Sequence, residues 1–246
     1  METRTVNILG APVAKLTMEE TLGFLEAMLE KGKPGQIVTA NAEILYKASR
    51  NPAYLSILRN AALVTADGSG ALWASKYLGD PIAERVTGVD LFQALLPLAA
   101  EKKWSVYFLG AEQAVLDLMI HKIRGQYPEL PIAGQRNGYF SRDEQQALAG
   151  EIHDSRARIL FAAMGFPRQE EFIARYLEPM GVCVAIGVGG SFDVLAGKAP
   201  RAPDWFARHG LEWLYRLFKE PRRLKRTTAL PKFIFAVRRQ LKNKGI

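Results

Sequence analysis

The chain has a single cysteine among its 246 residues, Cys183, set in the apolar run 182–186. No disulfide can form within it, and a buried thiol in a reducing compartment is the expected state. No stretch approaches the roughly 20 apolar residues that a membrane-spanning helix needs. The opening METRTVNILGAPVAKLT lacks the charged start, unbroken apolar stretch and small-residue cleavage site of an export signal, so a cytoplasmic protein, soluble or peripheral to a membrane, is expected. There is no Asp-x-Asp triplet, no His-x-x-x-His pair and no cysteine cluster, which leaves little to hold a metal ion. The three histidines, His121, His153 and His209, are scattered and read as structural or solvent-facing. Gly-x-Ser-x-Gly and the Walker lysine loop are missing too, which removes the commonest hydrolase and P-loop readings.

Acidic residues are scarce in one place only. Residues 1–204 hold 21 Lys and Arg against 23 Asp and Glu, whereas residues 205–246 hold 12 against 2, so the excess behind the net charge of +8 lies in the tail. Such asymmetry marks an anionic partner: a membrane surface, a phosphorylated ligand or nucleic acid.

At 48% hydrophobic residues the chain can bury one sizeable core. Between residues 36 and 190 short β-branched runs alternate with longer amphipathic segments, and the runs end in Gly, Asn or Asp. Strands are predicted at 36–40, 62–66, 104–109, 158–163 and 182–187, with a further short one at 131–135, each apolar enough for the interior of a parallel sheet. Helices are predicted at 17–31, 42–50, 71–78, 90–102, 114–127, 143–154 and 169–177. The fold class is therefore α/β: a Rossmann-like, mostly parallel sheet flanked by helices. The character changes near residue 200, giving an α/β core over 1–200 and a small, basic, amphipathic helical appendage over 201–246.

In open α/β sheets, ligands collect beyond the carboxyl ends of the strands. Five loops there carry candidate residues: Thr39 and Asn41; Asp67 with Gly68-Ser69-Gly70; Gly110; Gly165 to Glu170; and Gly187, Gly189, Gly190, Ser191 and Asp193. Glycine lets a backbone approach a phosphate, though the turn from strand to helix asks for glycine even without a ligand. Asp67 reads as a cap or turn residue or, if Ser69 takes the cap, as a cleft carboxylate ionised at neutral pH. Arg85, in a loop leading into a helix, reads as a surface arginine or as a fixed positive charge for a diphosphate. Gln169, in the first turn after Pro167, either decorates a solvated helix end or reaches a sugar hydroxyl or phosphate.

Taken together, TANAE at 39–43, ADGSG at 66–70, RVTGVD at 85–90, GFPRQE at 165–170, GVGGSFDVLAG at 187–197, RAP at 201–203 and EWLYRL at 212–217 resemble the WecG/TagA/CpsF glycosyltransferase family in order and separation across nearly the whole chain. The resemblance implies an inverting transferase without metal or other cofactor, using a UDP-sugar donor and a polyprenyl-diphosphate-linked N-acetylglucosamine acceptor. In the teichoic-acid branch the donor is UDP-N-acetylmannosamine and the new bond β-1,4; elsewhere it is the uronic acid or another UDP-hexose. By motif, Asp67 resembles the family's base, Thr39 and Asn41 line the same cleft, Arg85 and Gln169 resemble substrate-contacting residues, and Arg216, Arg223 and Arg226 match basic positions of the appendage. Backbone N–H groups of the run 187–191 are then expected to help hold the diphosphate.

Two other classes compete. A dinucleotide-dependent oxidoreductase needs Gly-x-Gly-x-x-Gly after an early strand, and the lone Gly110 does not supply it. A nucleic-acid module fits the basic tail with Trp205, Trp213, Tyr215 and Phe218, but the same residues suit a membrane interface, so no nucleic acid is expected. The tail run Phe233, Ile234, Phe235 and Val237 is likewise expected to lie on anionic lipid. Sequence leaves the oligomeric state open, with a homo-oligomer among the options.

Overall fold

The structure, a computed structural model, describes residues 3–199, 206 and 229–243. The elements run β1 (Thr5–Ile8), β2 (Ala11–Ala14), α1 (Met18–Lys31), β3 (Gly35–Ala40), α2 (Ala42–Ser49), α3 (Pro52–Asn60), β4 (Leu63–Ala66), α4 (Ser69–Tyr77) and α5 (Gly88–Glu101). They continue with β5 (Val106–Gly110), α6 (Gln113–Gln126), β6 (Ile132–Arg136), α7 (Gln145–Asp154), β7 (Ile159–Ala163), α8 (Arg168–Met180), β8 (Val184–Gly187), α9 (Ser191–Ala196) and a C-terminal helix, α10 (Ala229–Asn243). Six strands form one sheet in the order β4-β3-β8-β7-β5-β6, and β1 and β2 form an antiparallel hairpin. All six strands expected from the sequence are present, and the α/β class stands. The hairpin, α3 and α9 were not anticipated.

The chain divides into two compact units, each assembled from separate stretches: Met1–Met18, Thr39–Thr87 and Arg201–Ile246 in the first, Glu19–Val38 and Gly88–Pro200 in the second. Strand β3 passes from the second into the first after Val38.

In the second unit the pairs β3–β8, β8–β7, β7–β5 and β5–β6 are all parallel, so these strands end at one edge. Strands β5, β7 and β8 are buried at every residue, which is why they read as unbroken apolar runs rather than alternating ones. Successive side chains still go to opposite faces. Phe108 meets Phe92 of α5 and Phe192 of α9, and Phe161 meets Phe108 and Phe92, with centroids 4.6 to 6.2 Å apart. Tyr107, Leu109, Leu160 and Ala162 join Phe172 and Ile173 of α8 and Leu148 and Ile152 of α7 in a separate cluster. Cys183, expected to be buried, is half-exposed where β8 begins.

In the first unit, α10 packs on α2 and α4. Its Phe233 and Val237 are fully buried, and Trp73 meets Phe233 edge to face at 6.3 Å. That corrects the expectation that 233–237 lies on lipid as a whole: Phe233 and Val237 face protein, and Phe235 is left outside at 71% exposure. Gln240 of α10 holds the hairpin turn, accepting from Leu9 N at 2.8 Å and donating to Asn7 O at 2.8 Å. No helix among the described residues is long and apolar enough to cross a membrane.

Candidate active site

In the first unit three chain segments are joined through backbone at the end of β4. Asp67 N donates to Ala40 O at 3.0 Å, placing the Asp67 turn beside the start of α2, and Val86 N donates to Ala66 O at 2.9 Å. Thr65 Oγ1 reinforces the second link by donating to Val86 O at 2.9 Å. These bonds bring together the segments that carry Thr39 and Asn41, Asp67, and Arg85. Thr39 is buried, whereas Asn41, Asp67 and Arg85 are half-buried. Asn41 is the N-cap of α2, its side-chain oxygen accepting from Ile44 N at 3.0 Å, so that oxygen is committed to the helix. Neither Asp67 nor Ser69 occupies the cap position of α4. Gly68 occupies the cap position at φ +87° with no side-chain bond, and Asp67 lies one residue outside the helix.

In the second unit Gly110, Gly165 and Gly187 follow or end β5, β7 and β8. Gly110 sits at φ +139°, and a Cβ there would come within 2.5 Å of the Ala163 backbone, so only glycine fits. Gln169, expected at the solvent or on a ligand, is 4% exposed with both ends of its amide engaged. Its oxygen accepts from Gly165 N at 3.0 Å and Gly189 N at 3.2 Å, and its nitrogen donates to Glu170 Oε1 at 2.8 Å. Gln36 of β3 donates to Glu170 O at 3.1 Å. A Cβ on Gly187 would lie 2.5 Å from the Gln169 nitrogen, so the close approach of α8 to β8 depends on that glycine. Gln169 thus ties the loop after β7 to the loop after β8.

Of the N–H groups in 187–191 expected to help hold a diphosphate, three bond within the protein. Val188 N donates to Ala162 O at 2.8 Å, Ser191 N to Val188 O at 3.2 Å, and Gly189 N to Gln169. Ser191 is buried, with its hydroxyl on Val188 O at 2.6 Å. These groups shape the loop. Gly190 is exposed and Asp193 half-exposed in the first turn of α9.

Sequence reasoning missed the loop after β6. Tyr139 is 71% exposed, yet its surroundings are fixed. Asn137 accepts from Tyr139 N at 3.0 Å and donates to Gln113 at 2.9 Å, while Gly138 N donates to Ala111 O at 2.9 Å beside Gly110. Arg168 donates to Phe140 O at 2.7 Å and lies 4.6 Å over the Phe140 ring. Glu144 accepts from Ser141 N at 2.7 Å, which, with the Ser141 hydroxyl, holds its carboxyl below the usual carboxylate range. The result is an exposed aromatic ring on an ordered loop at the carboxyl edge of the strands. Its only sequence signal was a glycine next to two aromatics after a short strand. Nearby, Tyr107 donates to Glu151 at 2.7 Å, and burial, then this hydrogen bond, push its hydroxyl well above the ordinary tyrosine range. Arg216, Arg223 and Arg226, with Trp205, Trp213, Tyr215 and Phe218, lie outside the described residues.

Comparison with known proteins adds a family. The Glycosyl transferase WecG/TagA/CpsF family model matches residues 6–245. Three relatives carry the name N-acetylglucosaminyldiphosphoundecaprenol N-acetyl-beta-D-mannosaminyltransferase. That of Bacillus spizizenii is 39% identical over 238 residues, 96% of this chain and 91% of its own. That of Bacillus subtilis is 34% identical over 245 residues, 99% and 94% of the two chains. That of Staphylococcus aureus is 32% identical over 237 residues, 96% and 92%.

Proposed function

Since the chain belongs to the WecG/TagA/CpsF glycosyltransferase family, we propose that it transfers N-acetylmannosamine from UDP to the 4-hydroxyl of N-acetylglucosamine on a polyprenyl diphosphate, an early step toward teichoic acid or a related surface polymer. The observation that carries this reading is the shared name of relatives that match this chain over more than nine-tenths of both lengths. Asp67 acts as the base. Its carboxylate takes the acceptor's hydroxyl proton as that oxygen bonds to the anomeric carbon on the face opposite UDP. The bond from that carbon to the diphosphate breaks, the configuration inverts, and UDP leaves with the electron pair. Arg85 offsets charge growing on the diphosphate, joined by Arg216, Arg223 and Arg226 of the basic stretch 201–246, which serves as an appendage. Thr39 and Asn41 border the Asp67 turn, and Gln169 positions the glycine loops rather than touching substrate. Tyr139 offers its ring to the uracil.

The enzyme works on the cytoplasmic face of a membrane. Supporting this, α10 turns outward a face of Lys232, Phe235, Arg238, Arg239 and Lys242, all exposed, with no acidic residue in the helix. The test is a panel of UDP-hexoses incubated with a short-alkyl-diphosphate N-acetylglucosamine acceptor. Disaccharide from UDP-N-acetylmannosamine is expected, and turnover with the uronic acid or another hexose alone would overturn the donor assignment. The reaction should run undiminished in EDTA; loss that Mg²⁺ or Mn²⁺ restores would contradict the metal-free mechanism.

A further inference from the structure

Where α4 begins, three residues after Asp67, a Cβ built on Gly70 would lie 2.8 Å from Ala42 Cβ, at the first residue of α2. That is about an ångström short of ordinary carbon–carbon contact. The third side of the contact is closed by the C-terminal helix, whose Leu230 Cδ1 stands 3.9 Å from the same point. Asp67 is joined to both halves of this contact. Its N–H is on Ala40 O, two residues before Ala42, and its chain runs through Gly68 directly into α4. The separation of the first turns of α2 and α4 therefore fixes the direction from which Asp67 leaves the backbone.

Building on the reading of Asp67 as base, we propose that Gly70 is a positioning residue for that carboxylate, and that α10 takes part by closing the contact through Leu230. A side chain at residue 70 pushes the start of α4 off α2 and turns Asp67 away from the acceptor hydroxyl. An ångström of misplacement costs up to about a hundredfold in rate. Substrate binding elsewhere is untouched. Helix propensity acts the other way, since alanine is favoured over glycine in a helix, so a loss of activity here has no counterpart in a loss of helix.

The test measures kcat, donor KM and thermal unfolding on the full chain in the disaccharide assay. Gly70→Ala should lower kcat about tenfold to a hundredfold with donor KM unchanged. Gly70→Ala combined with Ala42→Gly should recover most of that loss, because with the Ala42 methyl gone the nearest atoms to the new one are Ala42 Cα and Leu230 Cδ1, both at 3.9 Å. Gly150→Ala, on α7 with nothing within 4 Å of the added carbon, should behave as wild type. Full kcat in Gly70→Ala overturns the proposal, as does a double variant no faster than the single one. Should Gly70→Ala fail to fold, Leu230→Ala decides: kcat lowered severalfold at unchanged donor KM supports the proposal, and wild-type kcat overturns it. An inactive wild-type protein would instead count against the reading of the reaction itself.

Discussion

Asp67 is a half-buried carboxylate fixed at its own N–H and followed by a glycine at positive φ, an arrangement that orders the backbone while leaving the helix cap to another residue. Replacing it with asparagine keeps size and polarity but removes the proposed proton acceptor. Asp67→Asn should lower turnover by about a hundredfold or more while UDP still binds; calorimetry with UDP beside the disaccharide assay measures both, and wild-type turnover would remove Asp67 from the mechanism. Tyr139 makes a separate prediction, because its ring is exposed but its loop is anchored by Asn137, Gly138 and Arg168. Tyr139→Ala removes a stacking surface worth about 1 to 3 kcal/mol, so UDP affinity should fall about tenfold with little change in unfolding temperature. Unchanged affinity would assign that ring another role.

Among the elements, β5 joins the glycine loops to the packing beneath them through Tyr107. Its hydroxyl is buried and bonded to Glu151 of α7, and its pKa is raised by burial first and the hydrogen bond second. A raised folded-state pKa means that folding favours the neutral phenol. The corresponding stability is full below the ordinary tyrosine value of 10.0 and is lost as pH rises above it. Tyr107→Phe should therefore cost about 1 kcal/mol near neutral pH, and the gap between variant and wild type should close above about pH 10, as followed by urea unfolding across pH. A constant gap through that range would mean that the phenol does not couple to folding. The N-terminal hairpin shows the limit of local signals. Its turn places Leu9 at φ +53° and Gly10 at φ +92°, and leucine is not a residue such a turn selects. Gln240, 231 residues away, supplies the bond that holds Leu9 there. The start of α3 was written locally instead, in Asn51 as cap and Pro52 at the first helical position.

At the scale of the molecule, positive charge gathers in the C-terminal stretch, and in α10 it surrounds one exposed phenylalanine. Each cation near an anionic surface contributes about 1 kcal/mol, so the protein should sediment with phosphatidylglycerol-containing vesicles at low salt, release as salt rises, and bind more weakly as Arg238→Glu/Arg239→Glu. Equal binding to neutral vesicles, or none at low salt, would rule out this mode of attachment. The sequence by itself determined the α/β class, the six sheet strands and the blocks that mark the family, because apolar periodicity and strand-end glycines are local properties of the chain. Asp67, Asn41 and Arg85 could be nominated for the same reason, each standing at the edge of a readable element. Tertiary structure decided what each of them touches. It turned Gln169 inward onto Gly165 and Gly189, engaged the N–H groups of Val188, Gly189 and Ser191 within the protein, and anchored the Tyr139 loop on Gln113, Ala111 and Arg168. It also split the tail run into buried Phe233 and Val237 and exposed Phe235. Hydrogen-bond partners and packing distances depend on segments far apart in the chain, and no local pattern records which of them will meet.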